Sequence, residues 1–291
     1  MSAPENAAGL PAKAHRPNRP RLDPSRAVQW VFITLALLIV AFVLIAPLAT
    51  VFASAFAEGA AAFGKALRTP ETRSSIRLTL LIVGIVVPIH MVVGVATAWA
   101  ITRFDFRGKS FLIALIDLPF TVSPVVAGLM LVLLFGARGL FGPWLEATDV
   151  RIVYAVPGLV LATAFVTFPF VARSLIPLMS AQGRDEEEAA ATLGARGWDI
   201  FFRVTLPNIK FGLLYGAVLC TARALGEFGA VSVVSGHIRG KTVTLPLHVE
   251  ILYNEYQQVA AFSAATVLTL VALVTLVGKV ALQRRVGRAR E

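Results

Sequence analysis

Six stretches of this chain, 27–56, 76–101, 111–135, 152–179, 211–234 and 260–282, are each apolar and long enough to cross a bilayer as a helix. A hydrocarbon core takes about 20 such residues in helix, and no water-soluble domain of this size buries six of them. A membrane β-barrel would instead show short segments alternating apolar and polar side chains, and these are continuous apolar runs. The expectation is an all-α integral membrane protein with six transmembrane helices. A hydrophobic share of 57% with 15% charged residues agrees with it. The first stretch is too long for the core of a secretory signal, although Ala53-Ser54-Ala55 has the look of a cleavage site.

The formal charge of +10 would suit a nucleic-acid binder, but the basic residues gather at the ends of the apolar stretches, without interleaved aromatics. They are better explained by orientation, since Lys and Arg concentrate on the cytoplasmic side. With the amino terminus inside, the cytoplasm receives the basic residues from Lys13 to Arg26, from Arg103 to Lys109, from Arg173 to Lys210 and from Lys279 to Arg290. The other side receives a smaller set, including Lys65, Arg68, Arg138, Arg151, Arg239 and Lys241. Both termini are therefore expected in the cytoplasm. Residues 1–26, rich in alanine, proline and arginine, read as a disordered tail, 27–283 as the membrane domain and 284–291 as a basic tail. The single cysteine, Cys220, lies inside an apolar stretch and reads as a packed thiol.

One passage is strongly polar. In 185–207, within the cytoplasmic loop 182–207, Asp185 is expected to cap a short helix and to share a reciprocal capping pattern with Glu188. Ala189 to Ala191 keep that helix thin. Gly194 is expected to turn the chain at a packed corner, and Trp198 to Val204 to form a second amphipathic helix before Pro207 starts another. The whole reads as a docking knob.

Two features interrupt the apolar stretches. Pro119 and Pro124 bracket Thr121 and Ser123 and free backbone carbonyls that hydrocarbon cannot satisfy. That segment either lines a pathway or is a kink accommodated by neighbouring helices. Arg223 and Glu227 stand one helical turn apart and can pair, as a scaffold or as a polar step on a route across the membrane. Gly212 and Gly216, with Cys220, give that stretch a small face for close packing. His90 and Asp117 also fall within apolar stretches, and His90 reads as packing.

Several chemistries lack their residues. Gly108-Lys109-Ser110 has Arg103 where a phosphate-binding loop needs its first glycine, and the Gly236-to-Thr242 segment is one residue short. Zinc-ligand spacing, a nucleophile elbow and a relay of intramembrane carboxylates are missing from the sequence, which speaks against a membrane enzyme and against a stand-alone carrier or channel.

The polar loop resembles the EAA loop of ABC-importer permeases, at Glu188, Ala189, Ala190, Gly194, Val204, Leu206 and Pro207, with Val204 where isoleucine is usual. The carboxy-terminal third, from Arg223 to Gly236 with Arg239-Gly240-Lys241-Thr242 and Thr244-Leu245-Pro246-Leu247, resembles the CysW-type permeases of bacterial sulfate and thiosulfate importers. Molybdate permeases share a version of Arg223 to Gly229, and the continuation through Gly236 favours sulfate. The resemblance implies the type I importer architecture in the bacterial inner membrane. It also implies a CysT-like companion permease, a cytoplasmic CysA-like ATPase dimer holding ATP and Mg, and a periplasmic sulfate-binding protein. This chain would itself bind no cofactor, and Glu188 would meet a basic residue of the ATPase.

Overall fold

The computed structural model describes residues 26–288, with side chains placed for 28–280. The expected tail thus lies outside the described residues at 1–25, and Arg26 already belongs to a helix. The first part of the expected carboxy-terminal tail is helical too, and residues 289–291 lie outside the description. The chain divides into two units, 1–48 and 49–291. What is described of the first is apolar helix, the start of α1 (Arg26–Ala55).

The second unit contains, in order, α2 (Gly59–Arg68), α3 (Pro70–Arg103), α4 (Lys109–Thr121), α5 (Pro124–Phe135), α6 (Gly142–Ala147), α7 (Val156–Thr167) and α8 (Pro169–Gln182). Then follow α9 (Asp185–Thr192), α10 (Gly197–Ile200), α11 (Leu206–Leu225), α12 (Gly229–Ser235), α13 (Leu245–Asn254) and α14 (Gln258–Arg288). Among the described residues five helical segments are long and apolar enough to span: Val28–Ala55, Pro70–Arg103, Val156–Gln182, Gly197–Leu225 and Gln258–Val280.

The expected third span is not a straight helix. α4 and α5 meet at 109°, with the break at Val122 and Ser123. Pro124 cannot donate a backbone hydrogen bond to α4 and holds the residue before it extended, so the helix stops and restarts. The fifth stretch also differs from its expected end. Hydrophobic averaging carries it to Val234, but helix ends at Leu225, and Gly226 to Phe228 separate it from α12.

The middle of this unit is a close packing of α3, α8 and α11 around Val171, which is fully buried. A Cβ on Gly94 of α3 would fall 2.6 Å from the Val171 side chain, and one on Gly216 of α11 would fall 3.1 Å from the Val171 Cα. Glycine is needed at both because two backbones approach the third across a single side chain. Cys220 continues the same buried face of α11. A second core joins α3, α7 and α12 through Ile82, Val86, Leu159, Val231 and Val234. These packings bring the end of α3, the end of α8 and the start of α11 together at one end of the unit, next to α9. At the other end the start of α3 meets α13, where Thr72 Oγ1 and His248 Nε2 share a buried hydrogen bond of 2.8 Å.

Candidate functional site

α9 is a two-turn helix with four consecutive acids in its first turn, Asp185 to Glu188, where the positive end of the helix dipole favours them. The expected capping pair does not form. Asp185 is the first helical residue, Arg184 precedes it, and no side chain caps the amino end. The acids are instead divided by helix geometry, because 186 and 187 fall on one side of the helix while 188 turns away.

The inward side is tied to three spans. Glu187 Oε2 lies 2.7 Å from Arg103 Nε at the end of α3, and Glu187 Oε1 accepts a 2.8 Å hydrogen bond from the Thr205 hydroxyl. Arg103 also donates from Nη1 to the Met179 carbonyl of α8 at 3.1 Å. Asn208 of α11 donates from its amide to Glu186, and Gln182 donates to the Asn208 carbonyl at 3.2 Å. Arg184 reaches the Thr102 carbonyl at 3.1 Å. The Arg103–Glu187 pair is nearly dry, with side chains 9% and 17% exposed. Displacing α9 therefore means displacing the ends of α3, α8 and α11 or stranding buried charge.

The outward side carries Glu188, Ala189 and Thr192, all exposed, and Glu188 has no side-chain hydrogen bond or ion pair among the described residues. Leu193 is 88% exposed. Gly194 has φ +85° and closes α9 through hydrogen bonds from its own N–H to Ala191 and from Ala195 to Ala190. That doubly bonded ending requires a left-handed residue. Nothing lies within 4 Å of a Cβ built at Gly194, so the corner is open rather than packed, and the residue is required for its backbone alone.

The expected second amphipathic helix is the foot of the fifth span. α10 continues through a π turn, Phe201–Thr205, into α11 without a break, and Val204, Leu206 and Pro207 lie at this junction. Pro207 has no N–H to complete an ordinary turn, and the widened turn takes up the difference. Trp198 and Phe202 stack there at 5.9 Å and are exposed, as Leu193 is, while Phe201 turns inward onto Trp99 at 5.4 Å.

The intramembrane candidates form a second group. Arg223 Nη1 is 2.6 Å from Glu227 Oε2, with the Glu227 side chain 1% exposed. Glu227 lies past the end of α11, and its Oε1 accepts the Ala230 N–H at 2.9 Å, so one carboxylate both neutralises Arg223 and holds the first turn of α12. Thr121 and Ser123 are exposed at the α4–α5 break, and the Thr121 hydroxyl donates to the Leu118 carbonyl at 2.9 Å. A Cβ on Gly229 would stand 2.9 Å from Pro124 Cβ, and Gly128 of α5 lies against the Ala230 carbonyl. The two helix breaks are thus neighbours. His90 is buried, edge-on to Phe168 at 5.8 Å.

One ion pair was not legible as such. Arg173, assigned by its charge to the cytoplasmic set, stands within α8 and donates from Nε to Asp117 Oδ1 of α4 at 2.6 Å, with its Nη2 on Oδ2. The signal available was that Asp117 and Arg173 are the lone charges of their apolar stretches and have opposite sign.

Comparison with known proteins accords with this arrangement. Residues 90–288 match the family described as "Binding-protein-dependent transport system inner membrane component". The chain is 55% identical to the sulfate transport system permease protein CysW of Synechococcus elongatus, over 88% of this chain and 90% of that one. It is 36% identical to the sulfate transport system permease protein CysT of Escherichia coli K12, over 87% and 91%. A solved bacterial alginate ABC transporter, crystallised with an alginate-bound periplasmic protein, contains a chain that superposes with a TM-score of 0.74 at 18% identity, covering 89% of this chain and 96% of that one. At that identity the likeness concerns the fold.

Proposed function

The chain belongs to the family of binding-protein-dependent transport system inner membrane components, and from that premise we propose that it is the permease subunit of an ATP-binding-cassette importer carrying sulfate, and thiosulfate with it, across the bacterial inner membrane. The observation that carries the proposal is the two-sided α9, fastened by Glu186 and Glu187 to α3 and to the foot of α11, and through Arg103 to α8, and open on the side of Glu188, Ala189 and Leu193. An element built this way passes a push from an outside partner into the membrane helices. Similarity to CysW, together with the Val231-to-Gly236 continuation, supports sulfate over molybdate.

In this reading α4 and α5 together make one broken crossing, so there are six spans and both termini are cytoplasmic. α9 then faces a dimeric ATPase that holds ATP and Mg, and Glu188 meets a basic residue of it. α13 faces the periplasm and a sulfate-binding protein. A CysT-like permease completes the pore, and α1 together with the apolar outer faces of α3 and α14 meets lipid. ATP binding closes the ATPase dimer, α9 moves with it, and the ends of α3, α8 and α11 follow, switching the pathway from inward-facing to outward-facing.

Cells deleted for this chain test the proposal, with labelled sulfate uptake measured in competition with thiosulfate and molybdate. Loss of sulfate uptake, restored by the chain and blocked by thiosulfate, is expected. Restoration of molybdate uptake alone, or sulfate uptake that persists without the ATPase, would contradict it.

A further inference from the structure

Asp117 stands eight residues from the start of α4 and Arg173 nine from the end of α8, so at 1.5 Å per residue both lie about 12–14 Å from helix ends on the α9 side. Both also lie six residues inside the apolar stretches 111–135 and 152–179, whose length matches a hydrocarbon core about 30 Å thick. Bidentate pairing with Asp117 occupies one edge of the guanidinium and leaves Nη1 and the outer N–H of Nη2 free. The Arg173 side chain is 55% exposed. A cation open to this extent at this depth faces water or protein, not acyl chains.

The pair is not isolated. On α8 the positions one and two turns toward α9, Pro177 and Ser180, are exposed on the same side as Arg173. On α4 Thr121 lies one turn beyond Asp117, also exposed, and Ser123 follows in the break that abuts α12. A continuous track of exposed groups therefore runs from the α9 end, past Arg173, to the helix breaks.

We propose that Arg173, oriented by Asp117, is the anion-contacting group on the inner half of the translocation path, where a tetrahedral oxyanion exchanges hydration water for the free guanidinium N–H groups. The assignment rests on the oxyanion-permease reading. Asp117 gives the contact its character. It cancels the net charge of Arg173, so a dianion meets oriented donors without an unneutralised cation, and the contact is short-lived. A lone arginine there would retain the anion and slow release.

Replacing Cys220 with alanine removes the sole cysteine, and Arg173→Cys is then introduced in the complete transporter in inverted membrane vesicles. Labelling with methanethiosulfonate ethylammonium reads water access. The thiol of Arg173→Cys should react, millimolar sulfate but not chloride should slow the reaction several-fold, and the attached ammonium should return part of the ATP-driven release of sulfate from vesicles loaded with sulfate and its binding protein. In whole cells Asp117→Asn should lower maximal uptake about tenfold at unchanged half-saturating sulfate, because capture occurs on the binding protein. If Arg173→Cys fails to assemble, Thr121→Cys and Ser180→Cys on the same track should show the same protection. A reactive cysteine whose rate ignores sulfate, an unreactive one, or a fully active Asp117→Asn would overturn the assignment. Unsubstituted vesicles that carry no sulfate would refute the substrate reading instead, and vesicles that carry sulfate without protection would refute the path assignment alone.

Discussion

Replacing Arg223 with alanine strands the Glu227 carboxylate, which is 1% exposed and has no other cation within ion-pair distance among the described residues. Breaking a buried pair from one side costs about 3–5 kcal/mol, and the remaining hydrogen bond from Ala230 does not supply a charge. Two second-site changes separate the two tasks of Glu227. Glu227→Gln removes the stranded charge and keeps an oxygen for the Ala230 N–H, so Arg223→Ala/Glu227→Gln should recover all but about 1 kcal/mol. Glu227→Ala removes the charge but leaves that buried N–H unpaired, which costs about 1–3 kcal/mol, so the double alanine variant should fall between. In detergent, thermal unfolding followed by size-exclusion chromatography should show Arg223→Ala lowered by on the order of 10 °C, with the glutamine double variant closest to the parent. If the glutamine variant were no more stable than Arg223→Ala, the buried-charge explanation would fail. If the double alanine variant matched it, Glu227 would not be holding α12.

At Gly194 the open surroundings and φ of +85° make backbone the only cost, so Gly194→Ala should lose about 1–2 kcal/mol of corner stability and most sulfate uptake. Gly194→Asn should keep more of both, and equal activity of the two variants would show that the left-handed corner is not required. His248 titrates below its ordinary 6.5, first because it is buried and second because of Arg239, with Glu71 and Glu255 opposing. A group with a lowered folded pKa gives stability that is complete above about pH 6.5 and is lost as pH falls through the folded value. Stability of the Thr72–His248 contact should accordingly fall as pH drops below about 6.5 and through the lowered folded value, and His248→Gln should flatten that slope; an unchanged slope in the variant would assign it elsewhere.

Much of this architecture was legible because hydrocarbon imposes long apolar runs, and those runs mark the spans directly. The same averaging hid the breaks. It passed over Gly226 to Phe228, since two short helices separated by glycine have the same hydropathy as one long one. Pro119 and Pro124 showed that α4 would be interrupted but not by 109°, an angle set by how α5 packs on α12 through Gly128 and Gly229. In α9 the helical period separates Glu188 from Glu186 and Glu187. Which of them faces inward depends on Arg103, Thr205 and Asn208, which only the folded spans bring within reach. The Arg173–Asp117 pair was missed for a related reason. Reading each charge within its own stretch passes over a partner 56 positions away, which only the packing of α4 on α8 brings within reach.

In the proposed function α9 couples ATP hydrolysis on the partner ATPase to sulfate movement through the Glu187 anchor. That coupling is tested most directly by measuring sulfate transported per ATP hydrolysed in vesicles reconstituted with the complete transporter. Glu187→Gln, which abolishes the charge pairing with Arg103 and leaves the outward side of α9 intact, should keep ATP hydrolysis while sulfate per ATP falls at least about fivefold. An unchanged ratio, with hydrolysis and transport both intact, would contradict it.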